Sequence, residues 1–96
     1  MIGSYVLVRT YSAGVFAGVL ESRDGKECGI RDARRIWAWA GAASLSELAS
    51  RGTSKPDQCK FPAPVPGVML VTEVIEIIPV TDVARANIES VKPWSA

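Results

Sequence analysis

The chain has 96 residues, which leaves room for one domain, and its eleven basic residues nearly balance ten acidic ones. Overall charge therefore does not draw the protein onto nucleic acid or an anionic membrane. No histidine is present, which excludes His-based zinc sites and the Ser–His and Cys–His nucleophile arrangements. Phosphate-binding glycine motifs are also missing. The composition predicts a protein that is not an enzyme and uses no cofactor or metal.

Hydrophobic residues make up 48% of the chain, a high share for so small a protein. This excess predicts that apolar surface is buried against further copies of the chain, as a homo-oligomer. The residues Met1–Tyr5 lead directly into a strand pattern instead of a signal peptide. We therefore expect a cytoplasmic protein with free thiols at Cys28 and Cys59. No apolar run approaches the roughly 20 residues that span a bilayer, so no membrane contact is expected.

The first third of the chain predicts an antiparallel β-meander. Tyr5–Tyr11 and Val15–Ser22 are rich in β-branched and aromatic residues, and a glycine-containing turn separates them. Asp24-Gly25 then predicts a type I′ hairpin in which Arg23 opposes Lys26. That register would place five apolar side chains on one face of the sheet, namely Val15, Ala17, Val19, Cys28 and Ile30.

The segment Asp32–Ala43 fits two different structures. As a helix it would begin at Asp32 and turn Ile36, Trp37 and Ala40 inward. As a strand it would follow the alternation of Arg35, Trp37 and Trp39. Periodicity does not distinguish the two in so short a stretch.

Two short helices are predicted more clearly. Ser44–Arg51 begins with a capping box and is followed by Gly52, a typical helix stop. Thr81 caps the second helix, which Pro93 ends. The inward stripe of this second helix consists of Val80, Ala84, Ile88 and Val91.

Between the helices, Thr53–Pro66 contains four of the six prolines and predicts an extended arm. Val68–Pro79 is nearly continuous in apolar residues and predicts one or two largely buried strands. Together these elements predict an α+β fold in a single domain, residues 1–96. Its core would be a small antiparallel sheet or partly open barrel with two short helices packed on it.

The chain's most distinctive chemistry lies in its middle third, where residues 31–60 carry a net charge of +3. Three arginines and two tryptophans fall within nine residues, namely Arg31, Arg34, Arg35, Trp37 and Trp39. Guanidinium groups match phosphate geometry and indole faces stack on bases, so this cluster predicts a site for a nucleotide-type anion. The alternative interpretation is core packing, with the arginines lying flat on the rings.

The proline-rich arm extends the basic character of the cluster through Lys55 and Lys60. The part of the arm from Lys55 to Phe61 is predicted to close over the ligand, from the same chain or from a neighbouring copy. The simpler alternative is a solvated loop with ordinary lysines.

Four stretches cover nearly the whole chain, namely YVLVRTYSAGVFAGVLESRDGKE (Tyr5–Glu27), DARRIWAWAGAASLSELASRGTSKP (Asp32–Pro56), CKFPAPV (Cys59–Val65) and EVIEIIPVT (Glu73–Thr81). These stretches resemble a family of small proteins encoded by bacteriophages and prophages. That family has no assigned function, so the resemblance transfers no site residues. It implies a viral origin and the cytoplasm of a bacterial host. Proteins of other phage families sequester cyclic nucleotide signals of antiviral defence, an analogy between families rather than a match of residues.

These observations lead to three hypotheses. The first is a non-catalytic phage protein that sequesters an anionic cyclic nucleotide and so counters host defence. The second is an interaction module that inhibits a host protein, with tryptophans as anchors. The third is a minor structural subunit of the phage particle.

Overall fold

The computed structural model describes residues 1–96 and contains five strands and two α-helices. In chain order the elements are β1 (Tyr5–Thr10), β2 (Val15–Asp24), β3 (Glu27–Arg35), α1 (Leu45–Arg51), a 3-10 turn (Pro56–Gln58), β4 (Val68–Val71), β5 (Val74–Pro79) and α2 (Asp82–Ser90). The predicted α+β fold is confirmed. Neither helix is long and apolar enough to cross a membrane.

The sheet is antiparallel throughout, with the strand order β4-β3-β2-β1-β5. Its two edge strands, β4 and β5, are consecutive in the chain, and only Thr72 and Glu73 lie between them. Three residue steps reach about 10 Å at most. The sheet must therefore coil until its two edges approach each other at this end, as in a partly open barrel.

Coiling buries one face of the sheet, and the two helices cover part of the other. The concave face carries side chains from all five strands, namely Val6, Val8, Phe16, Leu20, Cys28, Ile30, Ala33, Val71 and Val74. The other face packs against both helices through Tyr5, Leu7, Ala17, Leu48, Ala49 and Ile88, among others. Two cores in so small a protein explain the high apolar content without requiring a second copy.

The β2–β3 hairpin differs by one residue from the predicted register. Asp24 pairs with Glu27, so Gly25 and Lys26 form the turn. Gly25 alone has a positive φ, of 59°, and it occupies the first central position, as in a type II′ turn. Two further register shifts follow along the strands. The predicted single apolar face is therefore wrong: Ala17 packs on the helix side, whereas Cys28 and Ile30 lie on the concave side.

The ambiguous segment Asp32–Ala43 is neither a helix nor a complete strand. It continues β3 as far as Arg35 and then runs without regular structure, apart from one bridge between Ala38 and Lys60. Asp32 lies in the left-handed region, at φ 52°, where the pairing with β2 is interrupted. This local bend changes which side chains of β3 face each side of the sheet.

Both predicted helix starts are confirmed by hydrogen bonds. The Ser44 hydroxyl accepts from the Glu47 N–H at 3.2 Å, and the Thr81 hydroxyl accepts from the Ala84 N–H at 3.1 Å. α1 ends at Gly52, whose φ of 79° only glycine adopts readily. The helices bury the predicted residues, among them Leu48, Ala49, Ala84, Ile88 and Val91.

The proline-rich segment is extended only in part, and it packs on the body of the protein. Phe61 is fully buried among residues of the helix-side core, and Cys59 is buried beside it. Both cysteines are free. The backbone of Lys60 exchanges hydrogen bonds with Ala38, which fixes this part of the segment against the end of β3.

Candidate functional site

Arg34 is the most buried of the three clustered arginines, at 4% exposure. Its guanidinium donates to four backbone carbonyls: Pro62 at 2.9 Å, Ile88 at 2.8 Å, Phe61 at 3.0 Å and Val91. Two of these carbonyls belong to the C-terminal end of α2, where a positive charge is favourable. Arg34 therefore joins β3, the proline-rich segment and α2.

Burial lowers the pKa of the Arg34 guanidinium, and the nearby Tyr5 hydroxyl raises it. A guanidinium has five N–H groups, and four of them are used on carbonyls. One remaining N–H cannot make the two parallel bonds by which arginine grips a phosphate. The prediction of Arg34 as a phosphate contact conflicts with this geometry, and we assign it a structural role.

Arg34 lines a separate cavity of about 260 Å³ beside Glu89, whereas Arg31 and Trp39 line no cavity. Arg31 is exposed and forms an ion pair with Glu21 on the neighbouring strand. Trp39 is half-buried against the helix-side core, and its indole N–H donates to the Ala42 carbonyl at 3.3 Å. Packing thus accounts for Trp39, as the core-packing interpretation predicted.

The predicted lid residues do not converge either. The Phe61 ring is in the core, with the Arg34 guanidinium 5.5 Å from its centre. The Lys60 ammonium lies over Trp94, 5.3 Å from the ring centre. Lys55 is exposed at the start of the 3-10 turn. The proposed closure by Lys55 to Phe61 fails for Phe61, since a buried ring cannot move over a ligand without opening the core.

Arg35 and Trp37 are the two predicted residues that the fold brings to one open cavity. This pocket, of about 250 Å³, lies between the β1–β2 turn and the end of β3. Its lining consists of Ser12, Ala13, Gly14, Val15, Arg35, Ile36 and Trp37. Trp37 is 64% exposed, so most of its indole is open to solvent. We call this cavity the Arg35–Trp37 pocket.

The Arg35 side chain is held in place from two sides. Its guanidinium lies over the Phe16 ring, 4.5 Å from the centre, and donates to the Ala13 carbonyl at 2.6 Å. A Cβ at Gly14 would stand 3.6 Å from the guanidinium, an ordinary contact distance, so the turn packs directly beside the Arg35 side chain. Arg35 has no carboxylate partner. Its charge is therefore positioned but not neutralised.

The backbone beneath the pocket is equally well fixed. The Ile36 N–H donates to the Val15 carbonyl at 2.8 Å, and the Trp37 N–H donates to the Lys60 carbonyl at 3.0 Å. These bonds continue the sheet on either side of the lining residues. The indole of Trp37 thus projects from a rigid base, and little ordering would be needed when a ligand binds.

Sequence reasoning missed the turn that forms the opposite wall of the pocket. The sequence pattern assigns Ser12, Ala13 and Gly14 only a connecting role, yet all three line the cavity. The one available signal is the glycine itself: Gly14 is typical of a turn that needs positive φ, and its φ is 103°. No sequence pattern linked this turn to Arg35, which is 21 positions further along the chain.

The coiled five-stranded sheet, with both helices on its outer face, defines the protein as a small α+β domain with a pocket at one end of the sheet. The chain belongs to the family described as Domain of unknown function (DUF6948), whose model matches residues 3–88. That match includes all five strands and the complete pocket lining. Comparisons with curated proteins and with solved structures each find no match.

Proposed function

We propose that this protein is a non-catalytic binding protein for an anionic ligand of nucleotide type, with the Arg35–Trp37 pocket as its site. One observation carries the proposal: an un-neutralised guanidinium and an exposed indole share one open cavity. Guanidinium groups bind phosphate oxygens, and indole faces stack on bases of any sequence. A nucleotide presents both partners at a short separation.

The size of the pocket limits what it can enclose. Its volume of about 250 Å³ is somewhat smaller than the 300–1,000 Å³ that is common for ligand sites. One base with its phosphate suits such a space better than a complete cyclic dinucleotide. A larger cyclic nucleotide would place one unit in the pocket and leave the rest exposed, or shared with a neighbouring copy in a homo-oligomer.

The lining favours binding without turnover. Arg35 is the one charged residue, Ser12 carries the one side-chain hydroxyl, and no carboxylate lines the cavity. A group that could act as a general base is thus not part of the lining. Together with the resemblance to phage proteins, this supports sequestration of a nucleotide signal in a bacterial host as a defence against antiviral immunity.

A second candidate function is docking on a partner protein. It is favoured by the 64% exposure of Trp37 together with the small volume of the cavity beside it. Tryptophan and arginine are enriched among the residues that dominate binding energy at protein interfaces. In this case the pocket would receive one side chain of the partner.

The deciding experiment measures thermal melting with a panel of adenosine and guanosine monophosphates, cyclic mononucleotides and cyclic dinucleotides. A ligand at 100 times its dissociation constant stabilises the fold by about 2.7 kcal/mol, which raises the melting temperature by roughly ten degrees or more in so small a domain. We expect at least one member of the panel to produce this shift. A flat response across the panel would contradict nucleotide binding and favour the partner-protein function.

Two arginine variants test the location of the site. Arg35→Ala is expected to abolish the ligand-induced shift while lowering the melting temperature of the free protein by only a few degrees, since its contacts are near the surface. Arg31→Ala is the matched control, an exposed arginine outside the pocket. Equal loss of binding in both variants would show a general charge effect and contradict the site.

A further inference from the structure

The two edges of the sheet differ in their protection against pairing with another strand. β5 carries a charged residue in its middle, Glu76, which forms an ion pair with Arg9 at 3.2 Å. It ends in Pro79, and its pairing with β1 is irregular between Arg9 and Thr10. Charges, proline and irregular pairing are the features by which proteins block exposed edges.

β4 has none of these features within its length. Its sequence is Val-Met-Leu-Val, without charge or proline, and β3 is its only strand partner. Val68 is 55% exposed and Leu70 is 66% exposed, although both belong to a regular strand. Met69 is half-buried and Val71 is buried toward the concave core. An uncharged edge with exposed apolar side chains is a template for pairing.

The backbone of β4 presents free hydrogen-bonding groups at the same residues. The Asp32 N–H donates to the Gly67 carbonyl at 3.0 Å, so Gly67 turns its carbonyl toward β3. In an antiparallel ladder the bonding direction alternates from residue to residue. Met69 and Val71 therefore face β3, whereas the N–H and C=O groups of Val68 and Leu70 point away from the sheet.

β4 is complementary to itself in one antiparallel register. Two copies related by a two-fold axis through Met69 place Val68 of each copy opposite Leu70 of the other. The two residues share a face, so each pair joins two exposed apolar side chains. The same pairing satisfies the outward N–H and C=O groups of both residues in each copy. No charged residue lies opposite a like charge in this arrangement.

The neighbouring residues limit this pairing to a closed dimer. Pro66 has no N–H group and precedes the strand, which ends the ladder on one side. In the two-fold dimer the β4 edges of the two copies pair with each other, so neither β4 edge stays open. The β5 edge of each copy is blocked. A filament would require a second open edge, which this sheet does not have.

We propose that β4 is a homodimer interface, through which a second copy of this chain extends the sheet across a two-fold axis. The occupant is the same chain because an uncharged strand of this register complements itself in side chains and in backbone groups. The inference does not depend on the proposed nucleotide site, which shares no residue with β4. A four-residue strand pair is a small interface, so we expect a reversible monomer–dimer equilibrium.

Sedimentation over a range of concentrations tests the dimer. The mass of the wild-type protein is expected to rise from 10.3 kDa toward twice that value as concentration increases. Leu70→Lys places a charge opposite Val68 of the other copy and is expected to weaken dimerisation by about tenfold or more. Leu70 is exposed, so the variant should fold, and circular dichroism verifies this. Ile75→Lys is the matched control on β5, at a residue that is 50% exposed.

Amide hydrogen exchange measured by NMR tests the geometry of the dimer. The Val68 and Leu70 N–H groups are expected to exchange more slowly at high concentration, and this protection should disappear in Leu70→Lys. A wild-type protein that stays monomeric to millimolar concentration would overturn the proposal. Dimerisation that survives Leu70→Lys, or that Ile75→Lys weakens equally, would overturn it as well, since the interface would then lie elsewhere.

Discussion

Arg34 and Arg35 are neighbours in β3, and they occupy opposite environments. Arg34 pairs across the sheet with Ala17 and points to the helix side, where four carbonyls surround its guanidinium. Arg35 pairs with Phe16 and lies at the rim of the concave side, bonded to one carbonyl. Alternation along a strand is sufficient to separate them.

The two regions differ in how much of the arginine's hydrogen-bonding capacity is used. Around Arg34 the cation satisfies backbone groups that would otherwise be buried without partners, at the end of α2 and in the proline-rich segment. Around Arg35 the cation keeps unused donors beside an exposed indole. One region contributes stability and the other is available for binding, so substitutions should affect different measurements in the two.

The largest effect is expected from Arg34→Met, which keeps side-chain length and removes the donors. Four carbonyls lose a charged partner in a buried place, and we expect a loss of at least about 3 kcal/mol in the free energy of unfolding. This corresponds to about 12 °C or more in melting temperature. Arg31→Met is the control, with an expected cost below about 1 kcal/mol because its ion pair is exposed. Equal melting temperatures for the two variants would remove the distinction between the regions.

An intermediate effect is expected at alkaline pH, through Tyr5 in the buried region. Burial raises the pKa of Tyr5 to about 12, with a further increase from Glu89, while Arg34 and Arg85 lower it. The ordinary value is about 10, so the folded state holds the proton more tightly than the unfolded state. This contribution to stability, about 2 to 3 kcal/mol, is complete below pH 10 and is lost as pH rises toward 12.

Denaturant unfolding at pH 9 and at pH 12 measures this contribution. Tyr5→Phe should lose less stability over the interval than the wild-type protein does. Tyr11→Phe is the matched control, because it removes the same hydroxyl at a residue that is 78% exposed. An identical decline in Tyr5→Phe and the wild type would show that other groups cause the alkaline sensitivity.

The smallest effect on stability is expected from Trp37→Ala in the proposed binding region. The indole is mostly exposed, so we expect a change within about 0.5 kcal/mol in the free energy of unfolding. Affinity for the nucleotide that shifts the melting temperature should fall about tenfold or more, because base stacking on an aromatic ring contributes about 1 to 3 kcal/mol. Trp39→Ala is the contrast: it should destabilise the fold, since Trp39 packs on the core. Isothermal calorimetry and thermal melting measure the two quantities.

Local patterns were sufficient for the parts of the fold that depend on near neighbours. The caps at Ser44 and Thr81, the stop at Gly52 and the apolar stripe of α2 all rest on residues within about three helical turns of each other. The hairpin at Gly25 was located but shifted by one residue, because the choice between two turn types depends on how the strands twist. For the candidate site, Arg35 and Trp37 were among the eight predicted residues, and the turn that completes the pocket was not.

The amino-acid sequence by itself determined the α+β class, the two helices and the segment in which positive charge meets tryptophan. Only the tertiary structure decided that β4 and β5 form opposite edges of one coiled sheet, and that Arg34 is buried while Arg35 is open. The physical reason is the distance along the chain between the residues that interact. Caps and turns are set by bonds between residues a few positions apart, whereas the burial of an arginine depends on carbonyls that α2 and the proline-rich segment bring from 27 to 57 positions away.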